Sequence, residues 1–223
     1  MASYNIRKAV GLDWRRNPAR ILRVADDIGA DVLALQEADK RLGLRPSALP
    51  PGLLARSGWR HVPVGPGANL GWHGNAILLA PGSRLLWSEA IDLPGLEPRG
   101  ALLAGIEARG RSLIVAAVHL GLMRRHRRSQ LTALADRLRG HKGPIIVAGD
   151  FNEWSRSAGL EPLTEEFDIH TPGHSFHSAR PLAGLDRFAV RHGTRLHGGG
   201  VLDTPEARRA SDHLPIWADL DLT

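Results

Sequence analysis

The 223-residue chain contains no cysteine, which excludes disulfides, thiol nucleophiles and thiolate metal sites. Any metal must therefore sit on oxygen or imidazole ligands, as Mg²⁺, Mn²⁺ or His-bound Zn²⁺ do. Long apolar runs are missing too. No stretch approaches the ~20 residues that cross a bilayer, and the N-terminal MASYNIRKAV has no apolar core long enough for a signal peptide. A soluble, cytoplasmic protein with no obligate protein partner is expected. Lysine is scarce: Lys plus Arg is 29 against 23 for Asp plus Glu, a net charge of +6, yet only Lys8, Lys40 and Lys142 are lysines. That balance fits an anionic partner such as nucleic acid, a phosphorylated metabolite or a lipid headgroup. An arginine-rich proteome would give the same balance.

What is present is an ordinary core-forming composition, 43% hydrophobic, in short apolar runs separated by turn signals. SYNI (3–6), DVLALQ (31–36), NAILLA (75–80), ALLAGIEA (101–108), SLIVAAVHL (112–120), PIIVAG (144–149), LDRFAV (185–190) and HLPIWADL (213–220) read as strands. Two segments carry helical periodicity instead. In 18–29, Ile21, Val24, Ala25 and Ile28 share a face behind an Asn17 N-cap and Pro18. In 126–139, Leu131, Leu134, Ala135 and Leu138 share a face ahead of Gly140. Many strands and few helices predict stacked sheets with helices outside, an α+β sandwich. The Pro/Gly-rich pieces 45–54 and 65–71 read as surface loops within one domain, residues 1–223.

The strand ends are unusual. Asn5, Glu37, His119, Asp150 with Asn152, Asp186, and Asp212 with His213 all stand where apolar runs end or begin. Each has an ordinary explanation. Asp150 and Asn152 fit an Asx turn, and a lone histidine on an apolar strand is commonly a hydrogen-bonded core residue. Together, four carboxylates and two histidines need mutual pairing or a divalent cation, because uncompensated buried charge is severely destabilising.

The ordered set SYNI, LQE, HLG, GDFN, LDR and SDHLP, from Ser3 to Pro215, resembles the endonuclease/exonuclease/phosphatase superfamily, the DNase I-like metal-dependent phosphoesterases. The resemblance implies a four-layer α-β-β-α sandwich of two mainly antiparallel sheets, with the site at one edge. It implies Glu37 as principal Mg²⁺ ligand, Asp212 as a second, and Asn5 orienting Asp150 or approaching the metal. It implies that Asp150 holds the attacking water while Asn152 donates to a phosphoryl oxygen. His213, partnered by Asp186, would act on the scissile phosphate as base or electrostatic clamp, and His119 would contact phosphate or leaving group. Asn75 and Arg99 match positions that often touch phosphate.

Other signals carry less. His170, His174 and His177 have a spacing compatible with zinc, but no fixed carboxylate stands beside them and a polar loop is expected. HGGG (197–200) lacks the G-x-S-x-G partner of a hydrolase. RRHRR (124–128) reads either as a phosphate grip or as a solvated helix start. Of the six tryptophans, Trp72, Trp87 and Trp154 adjoin the motifs. An exposed one would stack on bases, although core packing is expected for most. The functional expectation is a nucleic-acid endo- or exonuclease. A phosphatase or phosphodiesterase acting on a small phosphorylated metabolite or phospholipid headgroup is the alternative, and a catalytically silent binding protein on the same scaffold a further one. Abasic-site cleavage is disfavoured by Arg7, which stands where base-repair relatives carry an acid.

Overall fold

The structure, a computed structural model, describes residues 1–40, 45–64, 70–156 and 158–222. The chain opens with β1 (Ala2–Asn5), α1 (Pro18–Ile28), β2 (Val32–Gln36), α2 (Pro51–Ser57), β3 (Arg60–His61) and β4 (Ala76–Leu79). There follow β5 (Arg84–Leu93), β6 (Arg99–Ala108), β7 (Arg111–His119), α3 (Arg124–Arg139), β8 (Ile145–Asp150), α4 (Glu161–Thr164), β9 (Phe167–His170) and β10 (Asp186–Arg191). The chain then closes with β11 (Arg195–Val201), α5 (Pro205–Ala210) and β12 (Ile216–Asp221).

The strands form two six-stranded sheets, ordered β11-β12-β1-β2-β4-β3 and β5-β6-β7-β8-β10-β9. Each sheet holds one parallel pair, β1 with β2 and β7 with β8. Each pair is joined by a helix, α1 or α3, as a parallel connection requires. The remaining ladders are antiparallel.

Three apolar clusters make four layers. Between the sheets, Ala34 and Ile77 of one meet Leu102, Val115, Ala117 and Ile146 of the other. On the outer face of the first sheet, Leu33 and Leu35 pack under Ile21, Val24 and Ala25 of α1. On the outer face of the second, Ala116, Val118 and Val147 pack under Leu131, Leu134 and Leu138 of α3. Strands buried on both faces read as continuous apolar runs, which is why β2, β7 and β8 stand out in the sequence. Each fully buried leucine contributes about 1.5–3 kcal/mol relative to exposure.

Helix α1 follows its expected signals. Asn17 Oδ1 accepts from the Arg20 N–H at 3.0 Å, Pro18 opens the helix, and Gly29 closes it at φ 64°. Elsewhere the structure departs from the expectations. Of the loop expected at 45–54, Pro51 onward belongs to α2, with Leu54 buried. The stretch 65–69 of the second expected loop lies outside the described residues. The basic start of α3 is not simply solvated. Arg127 is buried and ion-paired to Glu153 at 2.7 Å, because their mutual neutralisation lets both leave water. No helix among the described residues is long and apolar enough to cross a membrane.

Candidate active site

The two parallel pairs explain why polar residues collect at strand ends. Asn5 and Gln36 are partners at the C-terminal ends of β1 and β2, and His119 and Asp150 are partners at the ends of β7 and β8. Strand β10 runs the other way, so its first residue, Asp186, lies opposite Asp150. The sheets meet at this edge: the Asn5 side-chain amide donates to Asp150 Oδ2 at 3.1 Å.

Asp150 is held on every side. Its Oδ1 accepts the Asn152 backbone N–H at 2.9 Å, an Asx turn that fixes the carboxylate. Asn152 takes φ 50°, a left-handed conformation that asparagine tolerates, and its Nδ2 donates to the Leu120 carbonyl at 2.9 Å. Gly149 is required just before. A Cβ there would lie 1.9 Å from the Val118 carbonyl oxygen. The turn reading and the paired-site reading of GDFN are thus compatible, since the turn is what locks the pair in place.

Two imidazoles face the same carboxylate, His119 Nε2 at 3.4 Å and His213 Nε2 at 3.7 Å from Asp150 Oδ2. His213 Nδ1 is 2.8 Å from Asp186 Oδ2, and Ser175 Oγ donates to that same oxygen. Asp186 is fully buried and His213 is 5% exposed. Burial pushes the Asp150 carboxyl up, Asp186 adds to the rise, and the pKa reaches about 6 against the pull of His213 and the Asn152 and Asn5 hydrogen bonds. Burial alone would lower His213, but the Asp186 and Asp150 carboxylates outweigh it and raise its pKa to about 10. The arrangement holds an imidazolium between two acids, one of them able to exchange its proton near neutrality.

Glu37 lies one residue beyond β2 at φ 52°, with the Lys8 ammonium against its carboxylate. Glu37, Lys8, Arg45, His73, Arg99 and His119 share a cavity of about 180 Å³. Arg99 is paired to Glu97 at 2.8 Å. Asp212 is half-buried, with Arg7 Nε 3.4 Å from its Oδ2. Asn75 is fully buried, and its Nδ2 is spent on the Gly100 and Trp72 carbonyls at 2.9 and 3.3 Å. Asn5, His119, Asp150, Asn152, Asp186 and His213 are therefore brought into one contact network. Glu37 and Arg99 line the adjoining cavity, and Asn75 is set beneath the surface. His174 of the histidine-rich segment is bonded to Arg156 at 2.8 Å.

Sequence reasoning missed Ser175, Lys8 and the Arg127–Glu153 pair. Only the fold brings Ser175 to Asp186. The placement of Glu153 directly after GDFN is the one signal that pointed to the ion pair.

The donor set suits a hard divalent cation. The Glu37 and Asp212 carboxylates, each already facing a cationic side chain in Lys8 or Arg7, are oxygen donors of the kind such an ion takes. Asp150, Asp186 and His213 also form a three-donor group with ligand atoms within 4.8 Å of one another. Their internal Nδ1–Oδ2 hydrogen bond, however, already uses the imidazole nitrogen nearest Asp186.

The sequence profile of the endonuclease/exonuclease/phosphatase family matches residues 2–213. The chain belongs to this family. Among relatives, YbhP of Escherichia coli is 33% identical over 164 residues, covering 68% of this chain and 64% of that protein. The chain thus spans about two thirds, and no more, of the curated relatives it matches first. Solved family folds superpose on nearly the whole chain. A Bacteroides thetaiotaomicron mannosyl-6-phosphatase gives a TM-score of 0.76 at 18% identity, covering 99% of this chain and 98% of the other. D. rerio TDP2 complexed with single-strand DNA product gives 0.70 at 18%, covering 99% and 97%. The superposition over nearly the whole chain agrees with that family membership.

Proposed function

We propose that the protein is a Mg²⁺-dependent phosphodiesterase, an endo- or exonuclease acting on nucleic acid through a single catalytic domain, with Mn²⁺ a workable substitute. The observation that supports this most is the convergence of Asn5, His119, Asn152 and His213 on one buried carboxylate, Asp150. Phosphodiester hydrolysis needs a positioned water, neutralised oxygens and help for the leaving alkoxide. Asp150 accepts the proton of the attacking water, and its raised pKa suits that exchange. Asn152 donates its remaining amide N–H to a phosphoryl oxygen. His213, its Nδ1–H donating to Asp186, presents Nε2–H to the phosphate, and His119 donates beside it. Glu37, with Asn5 and Asp212, would hold Mg²⁺, which when bound would supply positive charge for the developing anion. Arg99 and Lys8 add fixed cationic charge in the adjoining cavity.

The net charge of +6 favours a polyanion as substrate. A small phosphorylated metabolite or phospholipid headgroup is the second reading, supported by the confined cavity beside Glu37 and by the mannosyl-6-phosphatase relative in fold. The test is Mg²⁺-dependent nicking of supercoiled plasmid, intact or partly depurinated, with EDTA and His213→Ala as controls. Nicking of intact plasmid that disappears in both controls is the expected result. Cutting confined to depurinated plasmid would indicate base repair. No cutting of either would transfer the assignment to the small-substrate reading, and a fully active His213→Ala protein would refute the mechanism.

A further inference from the structure

Two residues after Asn152, the indole of Trp154 stands 67% exposed. A single exposed aromatic is ordinary on a protein surface; the way this one is held is not. Buried Arg187 donates one guanidinium nitrogen to the carbonyls on both sides of it, Glu153 at 2.6 Å and Ser155 at 2.7 Å. The Glu153 side chain is in turn pinned by buried Arg127 at 2.7 Å and accepts the Ser155 N–H at 2.9 Å. Two arginines are thus desolvated to fix three residues whose central side chain points outward. Burying guanidinium groups is costly unless they are paired or hydrogen-bonded, and the four bonds these two make to the carbonyls of Glu153, Ser155, Gly121 and Leu122 mark the arm as a built feature.

The arm leads to the reacting centre. Trp154 meets Phe176 edge-on at 6.1 Å and 88°, and Phe176 lies against the His213 imidazole at 4.9 Å and 49°. Phe176 is itself fixed by paired backbone bonds with Ala183 at 3.0 and 2.8 Å, beside the serine that bonds Asp186. On the far side, Trp154, Arg156, His174, Ile169 and Leu182 border a cavity of about 420 Å³.

Resting on the phosphodiesterase reading, we propose that Trp154 and Phe176 form a stacking platform for a nucleobase of the substrate, next to the phosphate held at His213. A flat, rigid, exposed indole recognises a planar π-system at low entropic cost, whatever the base. The surroundings favour a nucleotide over an acyl chain. Arg156, bonded to His174 at 2.8 Å, borders the same cavity and suits a neighbouring phosphate, whereas an acyl chain needs an uninterrupted apolar trough.

The test is fluorescence-anisotropy binding of two labelled phosphorothioate DNA hexamers with Mg²⁺ present. One carries bases, and the other has tetrahydrofuran abasic residues throughout, with equal charge. Wild-type protein is expected to bind the base-bearing strand about 5- to 150-fold more tightly, the range of one aromatic–base stack. Trp154→Ala should erase that ratio without weakening the abasic strand, and Trp154→Phe should keep most of it. Equal affinity of wild-type protein for the two strands, a ratio that survives Trp154→Ala, or no binding of either strand would overturn the proposal. Dihexanoyl phosphatidylglycerol bound in a Trp154-dependent way, with no preference for bases, would overturn it in favour of an acyl chain. A protein that hydrolyses no phosphodiester yet shows the Trp154-dependent ratio would refute the catalytic reading and leave the platform standing.

Discussion

Replacing Asp186 by Asn removes a negative charge and keeps the shape, and the structure sets the size and the pH dependence of the effect. Asp186 is fully buried and His213 nearly so, with Nδ1 and Oδ2 2.8 Å apart. Removing one member of such a pair leaves an uncompensated buried charge and costs about 3–5 kcal/mol. The sign with pH follows from the direction of the His213 shift. Its pKa is raised from 6.5 to about 10 on folding. The stabilisation is therefore complete below pH 6.5, where the imidazole is protonated both folded and unfolded, and is lost as pH rises towards 10. Over that window one proton separates the two states, so the difference between wild type and Asp186→Asn should shrink by about 1.4 kcal/mol per pH unit. Urea unfolding of both proteins at pH 6, 7.5 and 9 measures it. A difference that stays constant across the three values would refute the buried imidazolium. A difference that grows with pH would reverse the assignment of charge within the pair.

Catalysis should report the same groups. Activity is expected to rise with pH through about 6 as Asp150 ionises and to fall approaching 10 as His213 loses its proton. Because a bound cation favours the carboxylate, higher Mg²⁺ should move the acid limb to lower pH, and kcat/KM profiles at two Mg²⁺ concentrations will show whether it moves. Arg127→Ala, which strands Glu153 in the interior, should cost about 3–5 kcal/mol in thermal unfolding. The double change Arg127→Met with Glu153→Leu should recover at least half, whereas a loss under about 1 kcal/mol for the single variant would show that the arm bearing Trp154 is not clamped as described.

The elements that were legible in the sequence are those whose local chemistry agrees with their place in the fold. Helix α1 announces itself by Asn17, Pro18 and Gly29, and each acts where local rules put it. Strands β2, β7 and β8 are buried on both faces and read as apolar runs. The strands that escaped are edge or glycine-rich ones. In β5, exposed residues alternate with half-buried ones along most of an edge strand, and its polar half hides it. Strand β11 carries Gly198 to Gly200, a composition that argues against a strand until Trp217 is seen. A Cβ at Gly200 would lie 3.0 Å from the indole, so the missing side chains make room for an aromatic on the neighbouring strand.

The site divides along the same line. Asp150 and Asn152 are coupled through two residues of backbone, and a local pattern suffices to find them. The link from Asp186 to His213 spans 27 residues, and that from Asn5 to Asp150 spans 145, so only the meeting of two sheets makes them neighbours. Ser175 had no local mark at all. It reaches Asp186 because the next residue, Phe176, is bridged to both Ala183 and His213. Trp154 is the intermediate case. Its closeness to GDFN was visible, but its exposure depends on Arg187, 33 residues onward, fixing the backbone on either side. A sequence names the groups that can do chemistry; the buried arginines that hold them still become visible only once the fold has closed around them.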